Sequence, residues 1–102
     1  GVSVNFSVAT PFTNSTNNTY MRDAKLSLAT GTTSGPATWS ISKAIDTTNY
    51  SSGVQTASVA AASNGVGLAN LQLTVSFVTG DVTSIAAGNY TTTVTGTVTA
   101  NP

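Results

Sequence analysis

At both ends of this chain apolar and polar residues alternate one for one, and no other feature limits the fold as strongly. From Asn89 to Asn101, Tyr90, Thr92, Val94, Gly96, Val98 and Ala100 fall on one parity, and Thr91, Thr93, Thr95, Thr97 and Thr99 fall on the other. Successive side chains of a strand point to opposite faces, so a period of two predicts a strand with a mixed apolar face for a core and a threonine face for water. Val2, Val4, Phe6 and Val8 against Ser3, Asn5 and Ser7 repeat the pattern at the other end.

Between these ends the chain reads as short strands separated by turn signals. Ala9 to Thr19 is a polar connection containing Pro11 and no sustained period, so residues 1–11 read as a candidate arm, 12–19 as its linker, and 20–102 as the body. An ordinary crossover between two sheets would look the same. Tyr20 to Ala29 alternates, Gly31 to Pro36 is a turn cluster, and Trp39 and Ile41 share a face. The single tryptophan is expected to anchor the core between sheets, with an exposed ligand platform as the alternative. Val54 to Ala60 reads as a weaker strand and Ala60 to Gly67 as a flexible turn. Leu71, Leu73, Val75 and Phe77 form the heaviest apolar face, which predicts the central core strand. No stretch supports a helix of ordinary length. Six or so short strands spaced by turns are the pattern of an all-β antiparallel sandwich.

Composition decides what such a sandwich can do. The 102 residues suffice for one two-layered domain. Arg22, Lys25 and Lys43 cancel Asp23, Asp46 and Asp81, and three scattered cations make no basic patch for a nucleic acid or an anionic membrane. Cysteine and histidine are both absent, which removes disulfides, thiolate metal sites and the usual general base. Ser and Thr make up about a third of the chain and Glu is missing, a flavour of exported bacterial or archaeal surface β proteins. No window is apolar enough to span a membrane, and Gly1 in place of an initiator Met suggests that any targeting segment was removed or not included.

The segment Ile85-Ala86-Ala87-Gly88-Asn89-Tyr90, followed by alternating Thr and Val, resembles the end of subunits of chaperone-usher pili, where an Ala-Gly-x-Tyr turn precedes the final strand. The strand Leu71 to Phe77 is similar to their penultimate strand. The resemblance implies an immunoglobulin-like sandwich lacking its last strand, completed by the N-terminal arm of a neighbouring identical subunit. It implies Val2, Val4, Phe6 and Val8 as the inserted side chains, and Leu73, Val75, Phe77, Tyr90, Val94, Gly96 and Val98 as groove candidates. Gly96 would leave space for a partner's side chain, although a bulge or close backbone approach explains a strand glycine equally simply. Such insertion is β-augmentation, with main-chain bonds for affinity and alternating side chains for specificity. The physics points the same way, because a small β domain without disulfide or metal has little stability to spare, and an open sheet edge invites pairing.

Other chemistry finds little support. The three aspartates read as turn or ion-pair residues rather than a glycosidase pair or a calcium loop. Serines have no histidine or matched lysine to activate them. Asn5, Asn14, Asn17, Asn49 and Asn89 each begin an Asn-x-Ser/Thr triplet, five of nine asparagines where about three would do so by chance at this Ser/Thr content. Tyr20, Tyr50 and Trp39 are the candidates for a sugar-binding surface. The expectation is therefore a non-enzymatic, cofactor-free subunit of an extracellular surface filament supporting adhesion or biofilm, with an assembly chaperone and a host or surface glycan as further partners. The alternative is a non-polymerising spacer or a glycan-binding module.

Overall fold

The computed structural model describes residues 1–80 and 85–100. Its strands are β1 (Val2–Val8), β2 (Phe12–Asn14), β3 (Met21–Ser34), β4 (Trp39–Lys43), β5 (Ile45–Thr47), β6 (Ala57–Ser63), β7 (Leu68–Val78), β8 (Tyr90–Thr91) and β9 (Val94–Ala100). Among the described residues the one helical piece is a 3-10 turn over Tyr50–Ser52. Every strand pairing is antiparallel. One sheet runs β4-β6-β1-β9, and the other runs β5-β3-β2-β8 with β7 also on β3.

The two sheets enclose a core of Val8, Ala57, Val59 and Ala61 from the first and Ala24, Leu26 and Leu28 from the second. Phe6, Phe12, Ile41, Leu71, Leu73 and Val94 pack around it. Small residues on β6 face the leucines of β3, so large and small side chains share the space between the layers at close packing. This is the all-β antiparallel sandwich that the alternation predicts. The molecule is long, 50 × 23 × 21 Å, because β3 and β7 continue as a two-stranded ribbon past the sandwich.

Several elements differ from the sequence reading, each for a physical reason. Of the stretch Gly31 to Pro36 only Gly35 and Pro36 bend, Gly35 at φ 91°; β3 runs through the rest to Ser34, with a register irregularity between Thr30 and Thr33. Gly31 belongs in that ribbon because a Cβ there would lie 2.7 Å from the Asn70 carbonyl oxygen. Of the stretch Ala60 to Gly67, residues 64–66 bend between strands as expected, but Ala60 to Ser63 continue β6, whose inward residues Ala57, Val59, Ala61 and Ser63 are all buried. β7 is not the central strand. It pairs with β3 alone among the described residues, and Val75 (38 %) and Phe77 (37 %) are exposed. Its apolar row shares a face with Ala24, Leu26 and Leu28, but the opposing sheet covers only part of it.

The closing run also divides. β8 belongs to the second sheet and β9 to the first, and the crossing at Thr92–Thr93 is tied by the Thr92 Oγ1 donating to the Thr10 carbonyl at 2.8 Å. The stretch read as a linker contains β2, joining β3 to β8. Three strands of two or three residues, β2, β5 and β8, are too short to display a period. Trp39 stands half-buried outside the central cluster, opposite Ser63 on β6, with its Nε1 buried and without a partner among the described residues.

Candidate strand-binding site

The terminal alternation Val2 to Val8 forms β1, and its position is the most distinctive feature of the fold. It lies between β6 and β9, with seven residue pairs to each, from Val2 opposite Ser63 and Ala100 to Val8 opposite Ala57 and Val94. β6 and β9 meet only through it in the sheet order. Within this chain β1 fills the slot of its own sandwich, joined to β2 by Ala9, Thr10 and the buried Pro11.

The four candidate insertion residues share the inner face but not equally. Val8 is 1 % exposed and Val4 8 %, while Phe6 and Val2 are half-buried. Ser63 closes the slot at the Val2 end, its Oγ accepting the Val2 amide at 3.1 Å and donating to the Gly65 carbonyl.

Of the seven groove candidates, three line the slot. Val94, Gly96 and Val98 stand opposite Val8, Phe6 and Val4. The remaining four, Leu73, Val75, Phe77 and Tyr90, lie on the second sheet. Leu73 packs on the core. Phe77 sits between Phe12 and Tyr90, with ring centroids 5.2 and 5.6 Å away. Tyr90 donates its hydroxyl to the Ala86 carbonyl at 2.8 Å, holding the turn that leads into β8. The other wall of the slot, Ala57, Val59, Ala61 and Ser63, was hidden in a weak strand and a supposed turn. Its signal is the common parity of these four residues, muted because alanine and serine are small.

At the end of the molecule where β3 begins, polar side chains hold the loops. Asn14 is 3 % exposed. Its Oδ1 accepts from the Thr16 amide (2.9 Å), the Thr16 hydroxyl (2.8 Å) and the Asn17 amide (3.3 Å), and its Nδ2 donates to the Ala87 carbonyl. Asp23 accepts from the Thr48 hydroxyl and the Tyr50 amide, each at 2.9 Å. Asp46 accepts from the Ser58 and Thr47 amides and lies 3.3 Å from Lys43 Nζ. Partial burial pushes the Asp46 carboxyl up, but these hydrogen bonds and the lysine charge outweigh it and hold it below the ordinary aspartate value. Asp81 lies outside the described residues.

The described residues hold no group of three or more His, Cys, Asp or Glu that could bind a metal ion. None of their helices is long and apolar enough to cross a membrane. Tyr20 (47 %) and Tyr50 (36 %) are exposed, and the Tyr50 hydroxyl accepts from Arg22 Nη1 at 3.3 Å. The ring contacts among the described residues involve Phe12, Phe77 and Tyr90 rather than these tyrosines. No protein-family model, curated protein or solved structure matches the chain.

Proposed function

We propose that this chain is a structural subunit of an extracellular filament, polymerising when β1 of one copy occupies the slot between β6 and β9 of the next. One observation carries the reading. β1 is inserted between two strands that do not otherwise touch in the sheet and hangs from the body by the short exposed link Ala9–Thr10, so the same strand of a second copy can take its place. The contacts are the same whether the strand comes from its own domain or another, which makes exchange of an identical element inexpensive in free energy. Val2 to Val8 then supply main-chain bonds to both walls and alternate side chains to the core, as β-augmentation requires. Ala9 and Thr10, both exposed, form the hinge, and Pro11 fixes where the body begins.

A second reading has its own support. β1 fills the slot of its own chain through a connection of three residues, as a non-polymerising spacer domain would. Negative-stain electron microscopy of the native protein, paired with an unboiled detergent gel, separates the two. Filaments and an oligomer ladder that collapses on boiling are expected, and deleting residues 1–11 should abolish both. If the deletion instead destabilises a monomer and leaves its oligomeric state unchanged, the spacer reading replaces the filament.

A further inference from the structure

We propose that Asn17 carries an N-linked glycan and that Asn14, three residues earlier and in an equally valid triplet, stays bare. The inference rests on the exported location contained in the filament reading, but on a separate feature of the molecule. The fold sorts five triplets that the sequence leaves equivalent. Asn14 is excluded, because its amide nitrogen donates to the Ala87 carbonyl at 3.2 Å, its side chain is buried, and its oxygen organises the Thr16–Asn17 turn.

Three further triplets are exposed at the asparagine but held along their backbone. Phe6 and Ser7, which follow Asn5, lie in β1 between two neighbours. Tyr50, which follows Asn49, donates its amide to Asp23 at 2.9 Å. Tyr90 and Thr91, which follow Asn89, form β8 against β2. A transferase must draw the triplet out into its own cleft, and ladder or long-range bonds oppose that.

Asn17-Asn18-Thr19 is different. It sits in the exposed connection between β2 and β3. The Asn17 oxygen accepts from the Thr19 amide at 3.0 Å and the Thr19 hydroxyl at 2.6 Å, and its carbonyl accepts from the Tyr20 amide. The bonds that leave the triplet are local, the Tyr20 amide to the Asn17 carbonyl and the Asn17 amide to the Asn14 side chain, the latter long at 3.3 Å. The Asn17 Nδ2 makes no hydrogen bond among the described residues and faces water. The donor would be a lipid-phosphate-linked oligosaccharide. Nδ2 bonds to the anomeric carbon, the carbon–oxygen bond to phosphate breaks, the lipid phosphate leaves with that electron pair, and the amide gives one proton to a base of the transferase. On a surface with no net charge, a sugar would supply the solvation that charge usually gives.

The test is glycopeptide mass spectrometry on protein recovered from the outside of the cells that make it. Trypsin places Asn5, Asn14 and Asn17 together in the peptide Gly1 to Arg22, so electron-transfer fragmentation is needed to locate the sugar. The expected result is sugar mass on Asn17, none on Asn14, and its loss in both Asn17→Gln and Thr19→Val. A bare Asn17, or sugar on Asn14, overturns the proposal. Microscopy on the same sample separates the two readings, since unmodified filaments refute the glycan alone and glycosylated monomers refute the filament alone. Unmodified protein found only inside the cell refutes both.

Discussion

The Phe6 ring lies directly over the bare Cα of Gly96: a Cβ at residue 96 would sit 3.1 Å from Phe6 Cε1 and 3.2 Å from Cδ1. The two residues are cross-strand partners on β1 and β9, and the glycine supplies room for the largest side chain of the inserted strand. In the filament reading this pair sets register. A slip of β1 by two residues would keep the inner face inward but move Phe6 off the glycine and opposite Val94 or Val98.

Gly96→Val must push the half-buried Phe6 ring aside and should destabilise the fold by about 1 kcal/mol, the low end for overpacking because residue 96 is exposed. Phe6→Leu should relieve part of that cost, so that the double variant is more stable than the sum of the single changes predicts. Urea unfolding of the four proteins checks it. Strict additivity would mean that the two side chains do not share the space.

Position along β1 should matter more than composition. Val8→Asp places a charge at a site that is 1 % exposed, with no cation among the residues of its core cluster, and should cost about 4 kcal/mol or more. Asn5→Asp, on the exposed outer face of the same strand, should change stability by less than about 0.5 kcal/mol. Thermal melts of both variants beside the unaltered protein give the comparison. Equal losses would mean that β1 is not seated in the slot.

How much of this could be read from sequence depended on whether a residue's role lies in its period or in its neighbours. The alternation of Val2 to Val8 and of Val94 to Ala100 was plain, and with it the sandwich. That β1 enters between β6 and β9 was not, because register between distant strands leaves no local trace. β6 was half lost since Ala57, Ala61 and Ser63 carry little hydropathy signal, although burial makes this strand central. β7 misled in the opposite direction, since its row of Leu, Val and Phe shows affinity for a core but not how much of it another sheet covers. Asn14 and Asn17 look alike as triplets, and only the packing of Ala87 and Gly88 against Asn14 separates them.

The loop end of the sandwich makes a stability prediction of its own. Thr48 is 2 % exposed, and its hydroxyl accepts from the Ala24 amide at 3.0 Å while donating to Asp23 at 2.9 Å. Thr48→Val keeps the shape but leaves a buried amide without its acceptor, which should cost about 1–3 kcal/mol. Thr48→Ser, which keeps the hydroxyl, should lose distinctly less. The amide of Ala24 should exchange its hydrogen faster in the valine variant, a local readout that general loosening of the core would not single out.

Acid should weaken the fold in part through Asp46, and the direction follows from its surroundings. The folded protein holds this carboxyl below its ordinary value of 3.8, so the unfolded chain binds the proton more readily. Stability gained from the charged form is then complete above the unfolded value and is lost as pH falls through the folded one. Asp46→Asn should be less stable than the unaltered protein near neutral pH, and the gap should close as pH drops from about 5 through the aspartate range and below it. Lys43→Met should narrow the gap without removing it, since the Ser58 and Thr47 amides still favour the carboxylate. Added salt should weaken the Lys43 contribution, which comes from a half-exposed pair, and leave the part carried by the Ser58 and Thr47 amides. Denaturant unfolding of the three proteins across pH 2–7 would measure this; a gap that stays constant with pH would show that Asp46 acts through its shape and not its charge.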